Sequence, residues 1–102
     1  MKIRILPAAE HDLELGADFY ESQREGLGRY FNDCLMADIE SLRIYAGVHG
    51  KVHDLFRCLS KCFPFAIFYD ISPDMVDIYA VLDCRQDPRK IKARLRSPQT
   101  TR

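Results

Sequence analysis

Seven basic side chains define the chemistry open to this chain: Arg57, Lys61, Arg85, Arg89, Lys90, Lys92 and Arg94. Guanidinium and ammonium groups bind phosphate and carboxylate, and when held in place they stabilise negative charge as it develops on a reacting oxyanion. Arg57 sits between Leu55 and Leu59 on one side of a predicted strand. An Arg there is costly unless it is paired or its head group reaches water. Asp77 and Asp83 on neighbouring strands are its candidate partners. Arg85 follows the last predicted strand. Asp87-Pro88 then offers a helix N-cap and a first helical position, leading into Arg89, Lys90, Lys92 and Arg94.

Other reactive groups form no recognisable machinery. There is no Gly-rich phosphate loop, no G-x-S-x-G and no H-E-x-x-H. His11, His49 and His53 are scattered and read as surface residues. Glu10, Glu14, Asp18, Glu21 and Glu25 are spaced like the solvated face of a helix. Cys58-x-x-x-Cys62, with His53 before it and Cys84 after it, does not follow the paired-knuckle spacing of zinc sites. Cys34, Cys58, Cys62 and Cys84 are expected as reduced, buried or half-buried thiols. No metal and no cofactor is expected.

The formal charge is zero over 102 residues, but it is unevenly spread. Residues 1–84 hold fourteen acids and eight bases, and residues 85–102 hold seven bases and one acid. Such an end suits nucleic acid or an acidic partner segment, and equally a solvated terminal helix. No apolar run approaches the ~20 residues of a membrane helix, and MKIRILPAAEHD lacks the apolar core of a signal peptide. A cytoplasmic protein with no membrane contact is expected. Its single domain should cover residues 1–96, with residues 97–102 a flexible end.

The elements that must position these side chains are legible from periodicity. Lys2 to Leu6 alternates as a short strand, and Pro7 opens a helix to about Arg24 with Ala9, Leu13, Ala17 and Tyr20 on one face. Gly26-Leu27-Gly28 breaks it. A second helix is expected from about Arg29 to Ala46, striped by Phe31, Leu35, Ile39, Leu42 and Ala46. Strands follow near 52–59, 63–71 and 75–82, with Phe65, Ile67, Tyr69 and Ile71 alternating along one and Val76, Ile78, Ala80 and Leu82 along the next. A short helix from Pro88 to about Leu95 completes the chain. The fold class is therefore α+β: an N-terminal strand, an antiparallel helical hairpin, and a three-strand antiparallel meander in one mostly antiparallel sheet. Phe65 to Tyr69 is apolar on both sides, so its second face must also be covered, by the C-terminal segment or by a partner.

These segments carry a resemblance. The PAAEHDL opening, Leu27-Gly28-x-x-Phe31, the Phe56-Arg57 strand, FPFAIFY and VLD-x-RQDP resemble, in order and spacing, the RelE/ParE superfamily of type II toxins. The resemblance implies a small toxin with two helices on a mostly antiparallel sheet, and a cognate antitoxin that wraps it in a toxin–antitoxin hetero-oligomer. RelE-like members cleave messenger RNA at the ribosome, where Arg57, Lys61 and Arg85 would be the catalytic phosphate contacts. ParE-like members poison DNA gyrase without covalent chemistry. No aromatic residue or His follows Tyr79 here, and Asp83 stands where many relatives carry a His. The wording is closer to the ParE-like branch, in which no catalytic residue is expected; the alternatives are the RelE-like endoribonuclease and a degenerate, non-toxic binding module. Target or antitoxin contacts would then fall to Arg57, Arg85, Arg89, Lys90, Lys92 and Arg94, with Phe65, Phe68 and Tyr69 in an antitoxin-covered or core surface.

Overall fold

The computed structural model describes residues 1–96; the expected flexible end, 97–102, lies outside the described residues. The elements are β1 (Lys2–Ile5), α1 (Pro7–Gln23), α2 (Leu27–Glu40), α3 (Leu42–Tyr45), β2 (Lys51–Val52), β3 (Leu55–Leu59), β4 (Phe65–Ser72), β5 (Met75–Asp83) and α4 (Pro88–Arg96). One five-stranded sheet runs in the order β1-β5-β4-β3-β2. Every pairing is antiparallel except β1 with β5, which is parallel. This is the expected α+β architecture. β1 reaches β5 through the helices and the meander, the long connection that a parallel pair requires.

The helical hairpin depends on two glycines. A Cβ on Gly16 would stand 2.5 Å from the Phe31 ring, and one on Gly28 would stand 2.5 Å from the Ala17 carbonyl oxygen. Leu27-Gly28-x-x-Phe31 is thus a packing motif: Gly28 lets α2 approach α1, and Phe31 fills the space above Gly16. Gly26 takes the left-handed conformation between the helices, with φ 86°. No side chain of its own caps the start of α2. The Glu21 carboxylate of α1 fills that role, accepting the N–H groups of Gly26 (3.0 Å) and Gly28 (2.9 Å).

The helices cover one face of the sheet. Ala9, Leu13, Phe31, Leu35, Ile39 and Leu42 pack on Phe65, Ile67, Tyr69, Val76, Ile78 and Val81. The second face holds Leu55, Ala66, Phe68, Ala80 and Leu82, and α4 closes it with Leu95 and the half-buried Ile91. Of the two candidates for that face, the chain's own C-terminal helix occupies it.

Four local expectations change. Val76, Ile78, Ala80 and Leu82 do not share a face. Phe68 pairs with Ala80 and Tyr69 with Ile78, so Tyr79 is an extra residue in a β-bulge that reverses the alternation. The strand expected near 52–59 is instead a tight hairpin, with His53 (φ 53°) and Asp54 (φ 68°) both left-handed between β2 and β3. β4 begins at Phe65 rather than near residue 63. The second helix does not run unbroken to Ala46: α2 ends at Glu40, and one further turn forms α3.

Candidate target-binding surface

α4 follows directly from β5, and its start is fixed by Asp87. The Asp87 carboxylate accepts the Arg89 N–H at 2.8 Å, as an N-cap does, and pairs with the Arg89 guanidinium at 3.0 Å. Both contacts hold the Asp87 carboxyl below its ordinary range, the guanidinium foremost. At the other end of the helix, Arg94 pairs with Asp12 of α1 at 2.8 Å. Asp12 also accepts the Val81 N–H at 3.0 Å, just past the bulge and beyond the reach of β1. One carboxylate therefore ties α1, β5 and α4 together. Burial raises the Asp12 carboxyl above its ordinary range, opposed by Val81 and Arg94.

With Leu95 and Ile91 turned to the sheet, α4 presents Arg89, Lys90, Lys92 and Arg96 outward, all exposed. Arg94 is committed to the ion pair and is only partly accessible. The outer face of α4 is thus a cationic ridge, bordered by a shallow cleft among His53, Asp54, Lys92 and Arg96.

The other basic residues gather at the end of the sheet where β4 starts and β5 finishes. The Cys84 N–H donates to the Pro64 carbonyl at 2.8 Å, which joins the β3–β4 loop carrying Lys61 to the turn carrying Arg85. Arg85 pairs with Asp83 at 2.9 Å and donates to the Tyr20 hydroxyl at 3.3 Å. The pairing lowers the Asp83 carboxyl below its ordinary range and raises Arg85 above its own. Arg57 does not pair with Asp77 or Asp83. Asp77 is held by Arg4 at 2.7 Å and Asp83 by Arg85, and the Arg57 guanidinium lies 3.9 Å from the Cys84 sulfur. Arg57 stands opposite Phe68 in register, on the α4 face, whereas Arg85 reaches toward α1. They share one end of the sheet but not one face.

Phe68 and Tyr69 are buried, so both belong to the core of this chain rather than to a contact surface. Tyr69 lies under the helices, where its hydroxyl accepts the Gly47 N–H at 3.0 Å and contacts His49 Nδ1. Phe65 is also buried, and it forms the floor of a groove of about 280 Å³ walled by Leu15, Phe19, Leu82 and Gln86. Leu15 and Phe19 are more than half exposed. Sequence reading passed over them, and over Tyr20 as a partner of Arg85, because only position in space places Leu15 and Phe19 over Phe65 and Tyr20 beside Arg85. Among the described residues no three His, Cys, Asp or Glu side chains gather as a metal site, and no helix is long and apolar enough to cross a membrane.

No family model matches the sequence, and no curated protein matches it either. The fold is similar to that of a chain from the chromosomal ParDE TA system of P. aeruginosa, at a TM-score of 0.69 and 15% identity. The similarity covers 79% of this chain and 92% of that one. At this identity the likeness is one of fold.

Proposed function

We propose that this chain is the toxin of a type II toxin–antitoxin pair, that it inhibits DNA gyrase by binding, and that a cognate antitoxin neutralises it in a cytoplasmic hetero-oligomer. The observation that supports this most is the fold shared with a chain of a ParDE system over 79% of the present sequence. In this reading the ridge of Arg89, Lys90 and Lys92 meets the target, with Arg57 and Arg85 at its border. The groove above Phe65 takes apolar side chains of the antitoxin. No covalent step is required of the chain.

The test is a supercoiling assay with purified gyrase. The chain should inhibit at a fixed enzyme concentration, and Arg89→Glu with Lys92→Glu should weaken inhibition at least about tenfold, since reversing charges at a contact turns attraction into repulsion. Absence of inhibition by a folded wild-type chain would overturn the reading.

One geometric observation favours a second reading, a RelE-like endoribonuclease. The Cys84–Pro64 hydrogen bond joins the loop that carries Lys61 to the turn that carries Arg85, and the Tyr20 hydroxyl lies 3.3 Å from the Arg85 guanidinium. A phenol in that position can move a proton while the cations stabilise a phosphorane-like charge. Messenger RNA cleavage at the ribosome that is abolished by Tyr20→Phe would establish this alternative.

A further inference from the structure

Helix α2 carries Tyr30, Cys34 and Asp38 at four-residue spacing, and this stripe faces the loop between β3 and β4. Asp38 is buried and holds the loop: it accepts the Ser60 hydroxyl at 2.7 Å and the Lys61 N–H at 3.3 Å. The Ser60 hydroxyl oxygen in turn accepts the Cys62 N–H at 3.4 Å. That network sets Cys62 over α2, with its sulfur 2.8 Å from the sulfur of Cys34. Cys34 is partly exposed and Cys62 exposed, while Cys58 is buried in the core and Cys84 sits beside Arg57. Both sulfurs also act on the Tyr30 phenol, whose proton they help retain, pushing it up to about 12.

We propose that Cys34 and Cys62 form a redox modification site, which reacts with a small-molecule disulfide of the glutathione type and closes to an intramolecular disulfide joining α2 to the β3–β4 loop. Two residues so far apart in sequence could be paired only by the fold. Exposure makes Cys62 the first nucleophile; burial, and secondarily the neighbouring Cys62 thiol, raises the Cys34 thiol above its ordinary range. The Cys62 thiolate attacks one sulfur of glutathione disulfide, breaking its S–S bond and releasing one glutathione thiolate. Cys34 then loses its proton and attacks the Cys62 sulfur of the mixed disulfide, releasing the second. Two electrons pass from the cysteine pair to glutathione disulfide, and the two thiol protons end on the two glutathione thiols. Lys61 is adjacent to Cys62, so closing the bridge fixes a basic loop at the end of the sheet.

The experiment treats the purified chain with glutathione disulfide, alkylates the remaining thiols with N-ethylmaleimide in denaturant, and measures intact and peptide masses. Expected are two maleimide adducts instead of four, at Cys58 and Cys84, and a Cys34–Cys62 cross-linked peptide. The melting temperature should rise on the order of 10 °C, because the bridge closes a long loop, and dithiothreitol should reverse the rise. Cys62→Ser, a change at an exposed position, should show no bridge and no oxidant-dependent rise. Four adducts, a lasting glutathione adduct on Cys62, a bridge to Cys58 or Cys84, or an undiminished rise in Cys62→Ser would each overturn the proposal.

Discussion

Single carboxylates hold this molecule together at points where backbone groups would otherwise lack partners. Asp12 accepts the Val81 N–H and the Arg94 guanidinium, and its side chain is 13% exposed. Arg94→Ala would leave that carboxylate partly buried without its guanidinium, at a cost of about 1–3 kcal/mol, between the values for exposed and buried pairs. Urea denaturation would measure it. Glu21 is a pH-dependent cap. The Gly26 and Gly28 N–H groups lower its carboxyl below the ordinary Glu value. A lowered folded-state value means that its stabilisation is present above the ordinary Glu range and is lost as pH falls through the folded value. Wild type should therefore melt above Glu21→Gln at pH 7, with the gap narrowing toward pH 3. A gap independent of pH would show that the Glu21 charge plays no part in the cap.

At the scale of elements, the helical hairpin is set by close approach rather than by propensity. Gly28→Ala should destabilise by about 1–3 kcal/mol through overpacking against the Ala17 carbonyl, despite the roughly 1 kcal/mol that Ala offers over Gly in a helix. Gly50→Ala, with nothing within 4 Å of its Cβ, is the control and should stay within about 0.5 kcal/mol. The helices, the meander and the capped start of α4 were legible because each rests on local periodicity or on a marked residue such as Pro7, Gly26 or Pro88. The bulge at Tyr79 was not. Val81 is as apolar as Ala80 and Leu82, so the pattern reads equally well in either register. The His53-Asp54 hairpin was missed because neither residue is the Gly that normally marks two left-handed positions. The basic residues of the candidate surface were visible as a charge run. That Arg94 is spent on Asp12, that Tyr20 meets Arg85, and that Cys34 meets Cys62 are juxtapositions across long stretches of chain, which no spacing encodes.

For the whole molecule, α4 has two roles: its inner side closes the second face of the sheet and its outer side carries the exposed cations. The roles are separable. Arg89→Glu with Lys92→Glu should leave thermal stability nearly unchanged, since surface ion pairs contribute little. Deleting residues 88–102 should expose Ala66, Phe68 and Leu82 and lead to aggregation, which light scattering would detect. The most direct measurement follows DNA and protein synthesis separately by pulse-labelling after induced expression of the chain in a bacterium. A toxin that binds gyrase should stop DNA synthesis first, with co-expressed antitoxin restoring it. Protein synthesis stopping first would contradict that account and assign the chain to messenger RNA cleavage, and a fall in neither would remove the toxin role altogether.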